Sequence, residues 1–544
     1  MLILSGAKLH PLARMYAREC GDGKLSRREF LTRATAMGLS SAAAYGLIGL
    51  TAPSAAQANP VAGGTLRLNM ETKAMKDPIT WDWAELANFA RGWLEYLVQY
   101  NRDGTLTPIL LESWEVNNEA TEYTLNLRRG IKWNNGADFT AEDVAFNIKR
   151  WCDGSIEGNS MAARMSALQD PETNQIGDGV MTIIDQHTIK LNLVAPDISI
   201  IVGAADYPAA IVHRSYDGGS PADNPIGTGA YLPAENEVGI RQVLVKNPDH
   251  TYWREGGWLD RVEFIDYGTD ASSVVAAAEA EEIDMTFRID GDFVQVFDSI
   301  GWQKSEAVTA STAVARFQQT AEPYGNREVR RALQMAVDNA VVLELGFSGL
   351  GSIAENHHVC PLHPEYVELP PLTVDRAMAK AMIDEAGLSD HEFELISVDI
   401  NWQANSCDAI AAQLRDAGIK VKRTQLPGST FWNDWTKYPW SMTEWNMRPL
   451  GVQVLALAYK SGVPWNETGF TNTEFDTVLA EALGVADADK RSVLMKRLEE
   501  IMQEEGVIIQ PYWRKVFRHH NGKVGNADMH PLLEIHIHEY FMTA

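Results

Sequence analysis

The sequence predicts a multi-lobed α/β protein. A chain of 544 residues exceeds what one hydrophobic core ordinarily serves, so two or three lobes are expected. Segments of strand and helix period alternate from end to end rather than collecting in separate halves. Turn-forming clusters of Pro, Gly and Asn recur at residues 101–104, 224–229 and 322–326 and divide the chain into blocks. Hydrophobic residues at 45% and charged residues at 22% are ordinary for a globular chain.

Residues 1–58 read as an export leader rather than as part of the fold. "SRREFL" (26–31) precedes the Ala/Gly/Leu-rich run "MGLSSAAAYGLIGL" (37–50), and "AQA" (56–58) offers small residues for cleavage. Arg27 and Arg28 with Phe30 and Leu31 mark the leader as a twin-arginine type. The apolar run is short and diluted with Gly and Ser, which makes it a poor membrane anchor. No cysteine follows it at the cleavage point, so no lipid anchor is expected, and Met15 is an alternative start. Beyond the leader lie Cys152, Cys360 and Cys407, enough for one disulfide and spaced too widely for a structural zinc site. The mature protein is expected to be soluble and extracytoplasmic.

The mature chain begins with the alternating strand "GGTLRLNM" (63–70). A strand at 123–127 follows, then the turn Asn134-Asn135-Gly136, then a helix capped by Thr140 with Asp143 at its third position. "NPIGTGAY" (224–231) is a turn cluster suited to a crossing between lobes. Residues 326–345 read as one helix with Val329, Leu333, Ala336 and Val337 on its apolar face. "SCDAIAAQLRDAGIKVKRTQL" (406–426) runs from a helix through Gly418 into a strand, and residues 491–513 repeat that grammar.

The net charge is −26; residues 1–58 hold seven Lys/Arg against three Asp/Glu, so the remainder carries −30. Such a surface repels nucleic acid and anionic membranes, and neither is an expected partner. The chain lacks G-x-S-x-G, H-E-x-x-H and phosphate-binding glycine loops, so no enzyme class is indicated and no cofactor is expected. "ENHHVCPLHPEY" (355–366) offers His357, His358, Cys360 and His363, good ligand types for nickel, copper or zinc, at a spacing that matches no closed site. An incidental loop is the favoured reading there. "HIH" (536–538) alternates as in a strand and reads as terminal packing.

Several stretches together, in order, resemble the extracytoplasmic solute-binding proteins of peptide, nickel and opine importers of the ATP-binding-cassette type. They are "LESWEV" (111–116), "YTLNLRRGIKWNNGADFTAEDVAFNIKR" (123–150), "NPIGTGAY", "NREVRRALQMAVD" (326–338) and "RLEEIMQEEGVIIQPYW" (497–513). The resemblance implies a two-lobed periplasmic-binding-protein clamshell of type II with an extra domain inserted in the first lobe. The implied divisions are the first lobe at 59–104, 225–312 and 507–544, the inserted domain at 105–224, and the second lobe at 313–506. It also implies a monomer that closes over a small solute and docks on an importer permease, without bond-making chemistry.

In the peptide-binding relatives, a tryptophan followed three residues later by an aspartate holds the ligand's ammonium. Here the tryptophan is Trp445 and the aspartate's place is taken by Arg448. That inversion points to an anionic or zwitterionic solute, opine-like or an amino-acid conjugate, held by a guanidinium fork. A structural pairing of Arg448 with a nearby acid is the alternative. Trp445 with Phe431 or Trp432 would supply apolar walls, and Trp402 is expected on the turn after the strand "FELISVDI" (393–400), at a strand's C-terminal end, where α/β ligands collect. His358 lies in a loop that borders the cleft in the relatives, and Trp81, Trp83 and Trp465 are weaker candidates. A di- or oligopeptide carrier is the second reading, then nickel-chelate capture. Outside the class stand a secreted enzyme and a chemoreceptor ligand-presenting protein.

Overall fold

Parallel strands with buried apolar positions set the frame of this protein. It is described here by a computed structural model over residues 10–52, 60–363 and 365–543. Thr65–Asn69 pairs in parallel with Arg261–Ile265 on one side and Met285–Thr286 on the other. Far along the same sheet, Glu392–Val398 pairs in parallel with Lys420–Leu426 and Trp440–Trp445. Two long antiparallel strands, Gln303–Phe317 and Tyr512–His520, join these halves, so one continuous sheet runs through both lobes. The lobes are thus joined by backbone ladders.

A separate antiparallel sheet of Leu111–Val116, Glu122–Leu127, Thr188–Asn192 and Met181–Asp185 lies within the stretch expected as the inserted domain, covered by the helix Ala141–Trp151. That helix begins as expected: the Thr140 N–H donates to Asp143 Oδ2 at 2.9 Å. The "NPIGTGAY" turn lies against residues 92–93. A Cβ on Gly227 would sit 1.8 Å from the Trp93 carbonyl oxygen, so only glycine fits this approach.

Four readings change. Residues 326–345 break into two helices, Arg327–Met335 and Asn339–Phe347, because the Asp338 side chain accepts from the Ala340 N–H and starts the second. Trp402 is in the first turn of the helix Asn401–Asp416, not on a turn before it. The "HIH" segment is a 3-10 turn, Ile537–Glu539, rather than a strand. The largest change concerns residues 1–58, which were expected to stand outside the fold.

Within them, Pro11–Gly21, Arg27–Ala36 and Ser41–Leu47 are helices, with Tyr16, Phe30 and Leu31 fully buried. "SRRE" is a capping box: Ser26 Oγ accepts from the Glu29 N–H, and the Ser26 N–H donates to Glu29 Oε2. The segment reaches both lobes. Thr32 Oγ1 donates to the Gly104 carbonyl at 2.5 Å and the Trp114 indole N–H to the Ala36 carbonyl at 2.7 Å. On the other side Arg33 pairs with Glu365, and Lys24 with Asp489. The cleavage residues 56–58 and the start residue Met1 lie outside the described residues. Cys20, Cys152, Cys360 and Cys407 are all free thiols.

Candidate functional site

The C-terminal ends of the parallel strands converge on a cavity of about 750 Å³ between the lobes. One wall follows Thr65–Asn69 and Arg261–Ile265 and supplies Glu71, Lys73, Asp266 and Thr269. The facing wall follows Glu392–Val398 and Lys420–Leu426 and supplies Asp399, Gly428, Ser429 and Trp432. Strand ends expose backbone groups and polar loops beside a rigid sheet, which is why α/β ligands gather there. Trp83 and Trp432 meet edge-to-face at 4.5 Å across this space, and Trp435 stands 6.0 Å from Trp83. Thr269 Oγ1 donates to Asp399 Oδ1 at 2.9 Å, which ties one wall to the other.

The cavity is acidic on balance. Glu71, Asp82, Asp266 and Asp399 line it against Lys73 and Lys76. Lys73 pairs with Glu71 at 2.9 Å and Lys76 with Asp82 at 2.8 Å. Burial works against the Lys73 ammonium, but Glu71 and Glu85 hold it above the usual lysine range. Asp266 and Asp399 have neutral partners: the Thr72 and Gly268 N–H groups for the first, and Thr269 for the second.

A smaller chamber of about 100 Å³ shares Glu71, Gly268 and Thr269 with this cavity and runs inward to Glu85, Arg288, Asp290 and Trp402. Behind it lies a buried charge network that crosses between the lobes. Arg288 meets Glu444 at 2.6 Å and Asp290 at 3.5 Å; Arg514 meets Glu444 at 3.1 Å and Asp290 at 3.6 Å. Burial would raise the Glu444 carboxyl, yet the two guanidiniums bring it below the ordinary range; for Asp290 burial wins and the value rises. Arg514 also lies 4.3 Å over the Trp402 ring.

The expected site residues separate into two groups. Trp402 lines the inner chamber and Trp432 the main cavity, and Trp83 joins them. Phe431 is fully buried behind Trp432, packed with Ile396 and Val398. Arg448, Trp445 and His358 form a buried cluster that lines neither cavity. The Arg448 guanidinium, 3% exposed, reaches Asp206 Oδ2 of the first lobe at 3.0 Å and donates to the Asn446 and Met447 carbonyls. It also stacks over Tyr207 and Trp465. Asp206 takes a second guanidinium from Arg164 at 2.6 Å, and together the two arginines hold its carboxyl below the usual range against burial.

Trp445 donates its indole N–H to Glu467 at 2.7 Å, and Trp81 donates to the Lys76 carbonyl. His358 Nδ1 is 2.6 Å from the Tyr459 hydroxyl, and burial keeps its imidazole well below the usual histidine range. The neighbouring ligand types do not converge: His357 faces Glu355 at 3.4 Å, and His363 bonds the Arg448 carbonyl and the Cys360 N–H. The sequence reading missed Glu71, Lys73, Glu85, Asp266 and Asp399. Each stands just past a strand end or in a first helical turn, the rule already applied to Trp402.

Residues 105–466 match the sequence model of the bacterial extracellular solute-binding proteins, family 5 (middle region). Dipeptide-binding protein DppE of Bacillus subtilis is 23% identical over 552 residues, covering 91% of this chain and 96% of that protein. The Haemophilus influenzae OppA complex with RPPGFSPFR superposes with a TM-score of 0.79 at 20% identity, over 88% of this chain and 99% of that one. The binding protein AgaA from A. tumefacien R10, in complex with agropinic acid, superposes with a TM-score of 0.77 at 21% identity, over 88% and 99%.

Proposed function

Since the chain belongs to the bacterial extracellular solute-binding proteins of family 5, we propose that it captures a small zwitterionic solute of the peptide or amino-acid-conjugate class by lobe closure and hands it to an importer permease. The family consists of substrate-binding transport proteins that serve ATP-binding-cassette importers, not of enzymes. The observation that carries the solute class is the interlobe cavity, with tryptophan walls and more carboxylates than ammonium groups. A solute that is only an anion meets repulsion there, whereas an ammonium-bearing one is attracted. Arg448, the reason to expect an anion, is engaged by Asp206 in the closed arrangement. DppE is named for dipeptides and AgaA was solved with agropinic acid; both names support a small organic solute, and the acidic lining favours the peptide side.

We place the protein outside the cytoplasmic membrane, delivered by the twin-arginine route that Arg27 and Arg28 signal. Among the described residues no helix is long and apolar enough to cross a membrane. The test is native mass spectrometry of the protein purified from its own host. The expected result is a co-purifying solute with a free amine and an acid, released on unfolding. A solute without any amine would overturn the class assignment.

A further inference from the structure

The inner chamber contains one carboxylate that the protein leaves without a counter-ion. Glu85, 9% exposed, lies in the first turn of the helix Ala84–Ala90 and lines the chamber. Among the described residues no cation lies within ion-pair distance of it. Lys73 and Arg288 act on it at a distance, while their ion pairs are made with Glu71 and with Glu444 and Asp290. Counted locally, the carboxylates of Glu71, Glu85, Asp290 and Glu444 face the cations Lys73, Arg288 and Arg514. The acids outnumber the cations by one, and Glu85 is the acid with no ion-pair partner; burial raises its carboxyl above the usual range against the pull of Lys73 and Arg288, so an arriving ammonium would favour its ionised form. A buried acid without an ion-pair partner adds nothing to the stability of the fold, whether it stays ionised or takes a proton.

The same chamber holds a second unspent group. The Trp402 indole N–H is buried and has no acceptor among the described residues. Glu85 and Trp402, an acid without an ion-pair partner and a donor without an acceptor, thus both line a chamber that shares Glu71, Gly268 and Thr269 with the main cavity. An α-aminoacyl terminus offers both complements on adjacent atoms, an ammonium and a carbonyl oxygen. A chamber of about 100 Å³ suits a terminal group of that kind rather than a whole solute.

We propose that Glu85 is the ammonium-recognising, specificity-determining residue of this protein, with Trp402 receiving the adjoining carbonyl. This rests on the zwitterionic-solute reading above and assigns its charged anchor. The anchor stands on the first lobe, whereas Arg448, which takes the acid's place in the sequence, lines neither cavity. Trp402 stands on the second lobe, so a terminus bound between them draws the lobes together.

The test uses the full chain with three probes: alanyl-leucine, its N-acetyl derivative and its C-terminal amide. Titration calorimetry is run on the wild type, Glu85→Gln and Glu85→Asp. The wild type is expected to bind alanyl-leucine and its amide and to lose at least about 30-fold on N-acetylation. Glu85→Gln is expected to lose as much for the free amine and to become indifferent to acetylation, and Glu85→Asp to recover part of the discrimination. The empty Glu85→Gln protein is expected to melt at or above the wild-type temperature, because it sheds a buried carboxyl that has no ion-pair partner; a lower melting temperature would show an internal partner and overturn the proposal. If the wild type binds the free amine and Glu85→Gln still discriminates against acetylation, the Glu85 assignment alone falls. If the wild type binds no amine-bearing probe but binds an amine-free acid, the zwitterion reading falls and takes Glu85 with it.

Discussion

Replacing Arg448 with alanine separates two roles that its position allows, clasp between lobes and reader of ligand charge. In the closed arrangement its guanidinium meets Asp206 Oδ2 at 3.0 Å, two backbone carbonyls, and the faces of Tyr207 and Trp465. Removing one partner of a buried ion pair costs about 3–5 kcal/mol when the other charge is left alone. Asp206 keeps Arg164 at 2.6 Å, so the loss for Arg448→Ala falls below that range, at about 2 kcal/mol. If that energy is felt only when the lobes are shut, the closed fraction drops and apparent affinity falls by up to about 30-fold. The loss should be the same for alanyl-leucine and its C-terminal amide, since the clasp does not touch the ligand. Asp206→Asn leaves two guanidiniums without a carboxylate and should cost more, about 3–5 kcal/mol. Calorimetric titration of acid and amide, with melting curves for all three proteins, provides the measurement. An acid that loses at least tenfold more than its amide would refute the clasp and restore Arg448 as an anion anchor.

Other consequences follow from buried charges and from the leader. Burial raises the Glu499 carboxyl from 4.5 to about 10, so the folded state holds its proton at neutral pH while the unfolded chain does not. This group's contribution is therefore fully present below pH 4.5 and is lost as pH rises toward 10. Glu499→Gln should raise the melting temperature at pH 8 and change it little at pH 4.5, as read by calorimetry. Replacing Arg27 and Arg28 with lysine should leave precursor in the cytoplasm, and unchanged export in cells without the twin-arginine machinery would refute the route. A chain lacking residues 1–58 should still fold, because Glu365 keeps the Gly451 N–H and Arg491 keeps the Val485 and Ala486 carbonyls. It should melt several degrees lower, having lost the cover over Trp114, and an unchanged melting curve would show that the helices contribute no net stability.

Much of the fold was legible because its signals are local. The strand "TLRLN", the Thr140–Asp143 cap and the Gly418 stop each depend on a few neighbouring residues, and each falls where the sequence places it. The break at Asp338 was equally local, and an aspartate followed by Asn-Ala could have been read as a second helix start. The capping box of "SRRE" was masked by the twin-arginine reading of the same letters. The site was harder. Trp402 and Trp432 were found because aromatic residues beside strand ends are conspicuous, while Glu85 and Asp399 look like any two of 73 acids. What distinguishes Glu85 is a missing partner, and partners such as Glu444 for Arg288 lie more than 150 residues apart. No reading of neighbours along the chain supplies that.

Small-angle scattering of the wild-type protein with and without saturating alanyl-leucine tests the central claim most directly, that solute is captured between lobes hinged on Gln303–Phe317 and Tyr512–His520. The account predicts a smaller radius of gyration and a loss of the longest intramolecular distances on binding, with tryptophan fluorescence changing in step as Trp83 and Trp432 are brought together. Tight binding confirmed by calorimetry with an unchanged scattering profile would contradict it.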